Sequence, residues 1–237
     1  FRLRITFASY NIHKAVGLDR RRDHERILRI LREVDADIVA LQEVDRRFGR
    51  RMAVLPLDAI HAATDYRPVP LSMKPDSLGW HGNALLVRKG IELIEAAPVP
   101  LPVLEPRGAI RADLAIAGRR IRAIGMHLDL SGLRRRHQIR SVLAHCADCD
   151  HHVPTVMMGD LNEWSQHGGC LQEFHQPGWK VLSPGRSFPS RRPIARLDRI
   201  IVSAEWQVLG TNVHHSPLSA TGSDHLPVFA SLSLPKN

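Results

Sequence analysis

Residues 156–162 read Val156-Met157-Met158-Gly159-Asp160-Leu161-Asn162, an apolar run of strand length that stops abruptly at two polar side chains. Strand alternation places Asp160 and Asn162 on one face and turns Leu161 into the core. A carboxylate and an amide then point outward together at the end of a buried strand, where α/β sheets usually bind their ligands. Because glycine, aspartate and asparagine also favour turns, a strand that ends in an Asx-type turn is an equally good interpretation of these residues alone.

Other predicted strands also end in polar residues. Leu3 to Ser9 alternates as a first strand and is followed by Asn11, and the apolar segment Asp37 to Leu41 runs into Glu43. Further polar residues at predicted strand ends are His127, Asp198, Asp224 and His225. This combination of carboxylates, amides and histidines resembles a hard-cation site with proton-transfer groups, because magnesium takes oxygen ligands and keeps bound waters. Zinc would require more histidine or cysteine, and a serine nucleophile would require a Gly-x-Ser-x-Gly turn that the chain lacks.

Helical and strand patterns alternate along the chain. Asp23 is expected to cap a helix with apolar residues at helical spacing, and residues 133–145 repeat in the same way. A short helix is expected around Leu57 to Ala63. The remaining predicted strands are residues 83–87, 91–97, 109–116, 121–126, 197–202 and 227–232. The first two resemble neighbours joined at Lys89-Gly90, and the next two resemble a hairpin around Gly118.

Loop-rich segments separate these elements. They are residues 46–79 apart from the short helix, residues 98–106 and residues 164–196. No linker, low-complexity tract or repeat divides residues 1–237, so one α/β domain is predicted. A chain of this length with 43% hydrophobic residues can bury a large core.

The formal charge of +9 comes from arginine, because only five of the 33 basic residues are lysines. Short arginine clusters lie at residues 20–22, 46–47, 50–51, 134–136 and 191–192. Arginine matches phosphate oxygens two at a time, so nucleic acid or another polyanion is a candidate partner. A GC-rich genome that encodes arginine in place of lysine would explain the same composition. Aromatic residues make up only 5% of the chain, which argues against a stacking platform for single strands.

Cysteine content and hydropathy limit the remaining classes. Three cysteines are too few for a disulfide scaffold, and Cys146-x-x-Cys149 before His151 and His152 lacks a second pair to complete a zinc site. No apolar run approaches bilayer-spanning length, so no transmembrane segment is expected. The chain begins at Phe1 and no targeting segment can be identified, so localisation stays open, with the cytoplasm slightly favoured. A monomer is expected.

Seven short motifs, taken in order, are similar to those of the endonuclease/exonuclease/phosphatase superfamily, which has the DNase I-like fold. The motifs are Ser9-Tyr10-Asn11-Ile12, Leu41-Gln42-Glu43-Val44, Gly82-Asn83-Ala84-Leu85-Leu86, Met126-His127-Leu128, Gly159-Asp160-Leu161-Asn162, Leu197-Asp198-Arg199-Ile200 and Ser223-Asp224-His225, and they cover nearly the whole chain. The resemblance implies a four-layer α/β/β/α sandwich of two packed mixed β-sheets flanked by helices, with the site at one edge of both sheets. It also implies hydrolysis of phosphate esters, which members cleave in DNA, RNA, inositol lipids, sphingomyelin and nucleotides.

The resemblance assigns metal and water roles to five residues. Glu43 corresponds to the principal ligand of Mg²⁺ (or Mn²⁺), with Asn11 beside it and Asp224 as a carboxylate near the metal. Asp160 corresponds to the residue that orients or deprotonates the attacking water, and Asn162 to the amide that holds the nucleophile or the phosphate. Such a metal neutralises the charge that gathers on phosphorus while the carboxylate-held water attacks in line.

The resemblance also assigns roles on the phosphate side of the site. His225 corresponds to the histidine placed against the scissile phosphate, and Asp198 to the carboxylate that orients it. His127 corresponds to a second histidine found in the DNase-like and sphingomyelinase-like branches. Arg107 leads a strand, as in bacterial members, and either contacts phosphate or lies on the surface.

Two positions depart from better-known members and leave the substrate open. His13 stands where abasic-site nucleases have an acidic residue near the metal, and His81 stands about where pancreatic-type DNases have an acid that pairs with the second histidine. The charge favours nucleic acid as substrate, with anionic phospholipid headgroups or small phosphate esters as the alternative. An interfacial lipid enzyme would usually show exposed apolar residues or an amphipathic anchor, which the sequence does not reveal.

Overall fold

The computed structural model describes residues 3–46, 52–71, 76–102 and 107–235. Within these ranges the strands are β1 (Leu3–Asn11), β2 (Ile38–Gln42), β3 (Tyr66–Pro68), β4 (Ala84–Arg88), β5 (Glu92–Val99), β6 (Gly108–Ile116), β7 (Arg119–His127), β8 (Thr155–Asp160), β9 (Trp179–Leu182), β10 (Asp198–Ser203), β11 (Gln207–Val213) and β12 (Val228–Leu234). They form two six-stranded mixed sheets. The first has the order β11-β12-β1-β2-β4-β3, and the second has the order β5-β6-β7-β8-β10-β9.

Helices cover the outer faces of both sheets. They are α1 (His24–Val34), α2 (Leu57–Ala63), α3 (Gly132–Ala147) and α4 (Ser219–Gly222), with 3-10 turns at His13–Ala15 and Gly169–Phe174. One buried apolar cluster lies between the sheets, a second joins the first sheet to α1 and α2, and a third joins the second sheet to α3. The four-layer α/β/β/α sandwich of two mixed sheets is therefore confirmed.

The first helix shows how the sequence pattern produces this packing. The Asp23 carboxylate caps α1 by accepting the backbone N–H of Arg26 at 2.9 Å. Ile27 and Ile30 are fully buried in the cluster against the first sheet. The helix ends at Asp35, which adopts the left-handed conformation with φ 51. Because α1 covers one face of β1 and β2, the other face of these strands is left to meet the second sheet.

The space between the sheets ends in a polar edge. The facing sides of β1, β7, β8 and β10 are apolar along most of their length. At one end these strands carry polar side chains, which are Asn11, His127, Asp160 and Asp198. All four side chains are buried. The strand ends that the sequence marked as polar therefore converge at one edge of both sheets.

Strand β8 is central to this edge because it pairs with two other strands that end there. It lies parallel to β7 and antiparallel to β10. In this register His127 is the partner of Asp160, and Asp160 is the partner of Asp198. The three residues form one row across three neighbouring strands.

Gly159 permits the close approach of β7 to β8 beside this row. A Cβ atom at this position would lie 1.8 Å from the backbone oxygen of Met126. We expect Gly159→Ala to lower the free energy of unfolding by about 3 kcal/mol, because a backbone atom cannot move aside as a side chain can. Urea denaturation measures the change. The control is Gly90→Ala, where a Cβ would meet no atom within 4 Å; equal stability of the two variants would contradict the prediction.

The structure corrects several predicted elements. Residues 83–87 and 91–97 are not neighbouring strands, because β4 pairs with β2 and β3 whereas β5 pairs with β6 in the other sheet. The chain crosses between the sheets at Lys89-Gly90. Pro98 and Val99 continue β5 rather than begin a loop. Arg47, Arg50 and Arg51 and residues 103–106 lie outside the described residues.

The strands that the sequence patterns did not predict are β3, β9 and β11. All three are edge strands. An edge strand has one neighbour and exposes part of its surface, so its side chains need not alternate clearly between buried and exposed. In β11 most side chains are exposed or half-buried, which explains the missing pattern.

Membrane and thiol features are limited. None of the helices in the described ranges is long and apolar enough to cross a lipid bilayer. Cys146, Cys149 and Cys170 are free thiols, and burial raises the pKa of Cys146 to about 12. Because metal binding and redox exchange require the thiolate, Cys146 is poorly suited to either role.

Candidate active site

The carboxylate of Asp160 lies at the centre of the site. Its Oδ2 atom accepts Asn11 Nδ2–H at 3.0 Å, and its Oδ1 atom accepts the backbone N–H of Asn162 at 2.9 Å. The Nε2 atoms of His127 and His225 lie 3.4 and 3.6 Å from Oδ2. Burial alone would raise the pKa of Asp160, but attraction to His225 and His127 outweighs burial and holds this pKa well below its ordinary range. The carboxylate is therefore ionised at neutral pH.

Asp198 orients the imidazole of His225. Its Oδ2 atom accepts the Nδ1–H of His225 at 2.9 Å and also accepts the hydroxyl of Ser187. Burial alone would lower the pKa of His225, but the charges of Asp198 and Asp160 raise it to about 10. Burial raises the pKa of Asp198, which the contact with His225 opposes. The hydrogen bond expected between these residues is present, and the imidazole carries a proton at neutral pH.

The 156–162 segment ends in an Asx-type turn, and the expectation that strand alternation places Asp160 and Asn162 on one face is wrong. Asp160 ends β8, and the backbone N–H of Asn162 then bonds back to the Asp160 carboxylate as in an Asx turn. Asn162 has a left-handed backbone with φ 50, so strand alternation does not continue to it. Its side-chain Nδ2 donates to the backbone oxygen of Leu128 at 2.9 Å. Asn162 therefore joins the ends of β7 and β8.

Glu43 follows β2 and is bonded to a lysine that the sequence patterns did not single out. Lys14 donates its ammonium group to Glu43 Oε2 and its backbone N–H to the Glu43 carbonyl at 3.0 Å. Burial alone would raise the pKa of Glu43, but attraction to His127 and the bond from Lys14 lower it. The carboxylate is thus ionised and already stabilises one positive charge.

Asp224 lies beside the 3-10 turn His13–Ala15, which also contains Lys14. Its Oδ1 atom is 3.9 Å from His13 Nδ1 and 3.3 Å from the hydroxyl of Ser223. The two carboxylates predicted to lie near the metal, Glu43 and Asp224, are therefore contacted by the consecutive residues Lys14 and His13. Asn11 is also tied to this turn, because its Oδ1 atom accepts the backbone N–H of His13 at 3.1 Å.

Two groups of residues are candidates for holding a divalent metal. Among the described residues, Asp160, Asp198 and His225 offer ligand atoms within 4.8 Å of one another. The protonated imidazole of His225 already contacts both carboxylates, and a metal bound through that imidazole would have to displace its proton. Glu43, with Asn11 and Asp224, offers oxygen donors only, and its carboxylate is held by one exchangeable ammonium group. Hard divalent cations prefer such oxygen donors, so the Glu43 group is the better fit.

Arg107 lies inside the site. Its Nη1 atom is 2.9 Å from Nε2 and 3.1 Å from Nδ1 of His127, so the guanidinium donates to the ring. His81 stacks on Trp80 with ring centroids 4.6 Å apart. Arg107 is therefore a half-buried neighbour of His127 rather than an exposed surface residue, and its contact with phosphate stays a prediction.

Two aromatic side chains lie near His225. The ring of Phe188 lies 4.9 Å from the His225 ring, and Trp164 lies edge-on to Phe188 at 6.3 Å. The low aromatic content did not indicate these neighbours, and Ser187 and Phe188 lie in a segment predicted only as loop. Lys14 could have been found from the sequence, because it closely follows the first strand-end motif, Ser9-Tyr10-Asn11-Ile12.

Comparison with known proteins places this site in a family. The profile of the Endonuclease/Exonuclease/phosphatase family matches residues 8–225. The uncharacterized protein YbhP of Escherichia coli strain K12 is 28% identical over an alignment of 243 positions, which covers 94% of each chain.

Two solved structures share the fold. TDP2 of D. rerio, complexed with a single strand DNA product, has a TM-score of 0.73 at 17% identity, with 97% of this chain and 98% of that chain covered. The mannosyl-6-phosphatase of Bacteroides thetaiotaomicron has a TM-score of 0.75 at 19% identity, with 96% of this chain and 99% of that chain covered. The family profile spans all of the site from Asn11 to His225, and the chain therefore belongs to the endonuclease/exonuclease/phosphatase family, whose members are phosphoester hydrolases.

Proposed function

We propose that this protein hydrolyses phosphodiester bonds by in-line attack of an activated water molecule, with a divalent metal ion as cofactor. The observation that carries the proposal is the buried, ionised carboxylate of Asp160, with the Nε2 atoms of His127 and His225 at 3.4 and 3.6 Å. A carboxylate beside two imidazoles can hold a water molecule while the imidazoles contact phosphate oxygens.

Some of the site residues act on the attacking water, and others act on the phosphate. Asp160 orients the attacking water and accepts its proton as the bond to phosphorus forms. Asn11 and the backbone N–H of Asn162 each fix one oxygen of that carboxylate. The protonated His225 stabilises negative charge on the phosphoryl oxygens as the water forms its bond to phosphorus and the bond to the leaving oxygen breaks. The leaving oxygen takes a proton from solvent water. Asn162, His127 and Arg107 are the further phosphate contacts.

Glu43 is the proposed principal metal ligand, with Asn11 and Asp224 as additional ligands. Enzymes of this family generally depend on a divalent metal. The oxygen donors favour Mg²⁺, with Mn²⁺ as a substitute, and a bound ion would supply Lewis-acid stabilisation of the phosphate oxygens. Lys14 donates to Oε2 of Glu43, and a metal ion held by that oxygen would take the place of the ammonium group.

We expect Glu43→Gln to weaken magnesium binding and hydrolysis together, because an amide oxygen lacks the charge of the carboxylate. The affinity should fall by more than the roughly tenfold typical of losing an outer-shell partner. Isothermal titration calorimetry measures it, with Glu173→Gln as control, since Glu173 pairs with Arg140 on α3. Unchanged magnesium affinity in Glu43→Gln would remove Glu43 from the ligand set.

Two substrate classes remain candidates, and each has an observation in its favour. Nucleic acid, the class that the charge favoured, is supported by the exposed Arg191 and Arg192 and by the Phe188 ring beside His225. Phospholipid headgroups, the alternative, are supported by exposed apolar side chains near the site, including Trp164. One structural neighbour was solved with a single strand DNA product and another is a sugar phosphatase, so the fold does not select the substrate.

A substrate panel tests the proposed function. The panel contains bis(p-nitrophenyl) phosphate, plasmid DNA, RNA, phospholipids, inositol phosphates and nucleotides, each with magnesium, with manganese and with chelator. We expect hydrolysis of at least one phosphodiester that depends on the metal and is lost in His225→Gln. Absence of metal-dependent hydrolysis across the whole panel would overturn the proposal.

A further inference from the structure

The four most exposed large apolar side chains of the described ranges lie within six residues of site residues along the chain. The exposed fractions are 68% for Leu130, 74% for Leu133, 62% for Trp164 and 65% for Ile194. The other exposed large apolar residues of the described ranges reach at most 50%. Single exposed apolar residues are ordinary on a protein surface, whereas a group at one place indicates an interaction site.

Leu130, Leu133 and Trp164 come from two segments that the Arg135 side chain joins. The guanidinium of Arg135 donates to the backbone oxygen of Leu130 at 2.6 Å and to the carboxylate of Glu163 at 3.1 Å. Leu130 and the segment that carries Trp164 are therefore joined by one arginine side chain. Leu133 lies on the first turn of α3, two residues before Arg135.

Phe188 connects Trp164 to Ile194. The Trp164 ring packs on Phe188, and Phe188 packs on His225, with centroids 6.3 and 4.9 Å apart. The backbone N–H of Ile194 donates to the backbone oxygen of Phe188 at 2.8 Å. Phe188 therefore links the exposed residues Trp164 and Ile194 directly to His225.

Arg191 and Arg192 add positive charge near these residues, because in the sequence they lie between Phe188 and Ile194. Both are exposed, and in the described part of the chain neither side chain makes a hydrogen bond or an ion pair. The cluster 134–136 differs, since its members have carboxylate partners at 3.6, 3.1 and 3.8 Å. The charges of Arg191 and Arg192 are therefore available to an anionic partner.

We infer that this rim surface docks on an anionic lipid bilayer. Its members are Leu130, Leu133, Trp164, Arg191, Arg192 and Ile194. Apolar side chains that enter the lipid interface beside arginines that meet anionic headgroups form a combination typical of interfacial binding. A nucleic acid would use the tryptophan and the arginines but would leave three exposed aliphatic side chains without a partner. The inference rests on the proposed phosphodiesterase function and identifies its substrate as the phosphodiester of a membrane phospholipid.

Vesicle binding by the full chain tests the rim surface. Binding is measured by co-sedimentation, in chelator, with vesicles of phosphatidylglycerol and phosphatidylcholine and with vesicles of phosphatidylcholine alone. We expect wild-type protein to bind the anionic vesicles more tightly. Arg191→Gln/Arg192→Gln should weaken this binding by roughly thirtyfold, and Leu133→Ser/Ile194→Ser by roughly tenfold or more.

Matched controls change the same residue types elsewhere. Ile94→Ser/Leu209→Ser alters side chains that are 44% and 48% exposed on β5 and β11. Arg29→Gln/Arg32→Gln removes two exposed charges from α1. Both controls should bind anionic vesicles within about threefold of wild type, and circular dichroism melting should show that all four double variants are folded.

Each outcome separates docking from catalysis. Hydrolysis of bis(p-nitrophenyl) phosphate by wild-type protein without vesicle binding would overturn the docking surface and leave the proposed function standing. Vesicle binding through the rim without hydrolysis of any phosphodiester would uphold the surface and reject the function. Binding of single-stranded oligonucleotides that is lost in the arginine variant, with no binding to vesicles, would assign the rim to nucleic acid and overturn the inference.

Discussion

Replacing Asp160 with asparagine should lower kcat for phosphodiester hydrolysis by roughly 10³- to 10⁴-fold. The substitution keeps the size of the side chain but removes the negative charge that holds the attacking water. It also removes a charge that raises the pKa of His225, so the imidazole should become easier to deprotonate. Steady-state kinetics with bis(p-nitrophenyl) phosphate and saturating magnesium measure the loss.

The control for this loss is a bonded carboxylate at the other end of a strand. Asp37 accepts the backbone N–H of Thr6 at 2.7 Å and the Nε–H of Arg88 at 3.1 Å. It precedes β2, whereas Glu43 follows that strand. Asp37→Asn should therefore keep the wild-type kcat even if it lowers stability. An Asp160→Asn protein with turnover similar to that of Asp37→Asn would remove Asp160 from the catalytic set.

Asp198→Asn should lower turnover by roughly 10²- to 10⁴-fold without unfolding the protein. Loss of the Asp198 charge should bring the pKa of His225 down from about 10 toward its ordinary value. An NMR titration of metal-free protein measures this change, and an unchanged His225 pKa would refute the pairing. Ser187→Ala is the matched control, because it removes only the hydroxyl that Asp198 accepts, and its effect on turnover should be smaller.

The same pair makes a prediction about stability and pH. A histidine whose pKa is raised on folding stabilises the folded state fully below its unfolded pKa, which is about 6.5. This contribution is lost as the pH rises toward about 10, the folded pKa of His225. The difference in unfolding free energy between wild type and Asp198→Asn should therefore be largest near neutral or lower pH and should shrink above it. A difference that grew with rising pH would contradict the pairing.

The sequence predicted the central strands well because they are buried on both faces. β2 and β8 are apolar runs bounded by polar residues, and every residue of both is buried. The edge strand β11 carries no such run and could not be recognised. The crossing between sheets after β4 also left no signal, because a short turn can join paired strands or pass from one sheet to another.

Predictability of the site followed the same division. Asn11, Glu43, Asp160 and Asp198 were found because they stand at or just after the ends of regular strands. Their neighbours were not found when they lay in irregular segments, since neither Ser187 nor Phe188 has a pattern that links it to His225. The rim surface escaped detection for the same reason. The members of this rim surface lie between residues 130 and 194, and their exposure is apparent only in the folded chain.

The net charge does not show which arginines are available to a partner. The net charge of +9 counts every arginine equally. In the structure, Arg111, Arg120 and Arg122 all contact the buried carboxylate of Asp113 and contribute to the fold. An arginine paired with a buried carboxylate cannot attract a distant polyanion, so the exposed arginines near the site are the ones that indicate a partner.

The row of His127, Asp160 and Asp198 links catalysis to the alignment of strands in the second sheet. If β8 slipped by one residue against β7 and β10, Gly159 or Leu161 would take the place of Asp160, and the carboxylate would turn toward the helical side. Such a molecule could stay compact and keep its circular dichroism spectrum, yet it would lack the carboxylate that we propose holds the attacking water. Specific activity in a refolded sample would therefore count the molecules in which β8 has reached its native alignment.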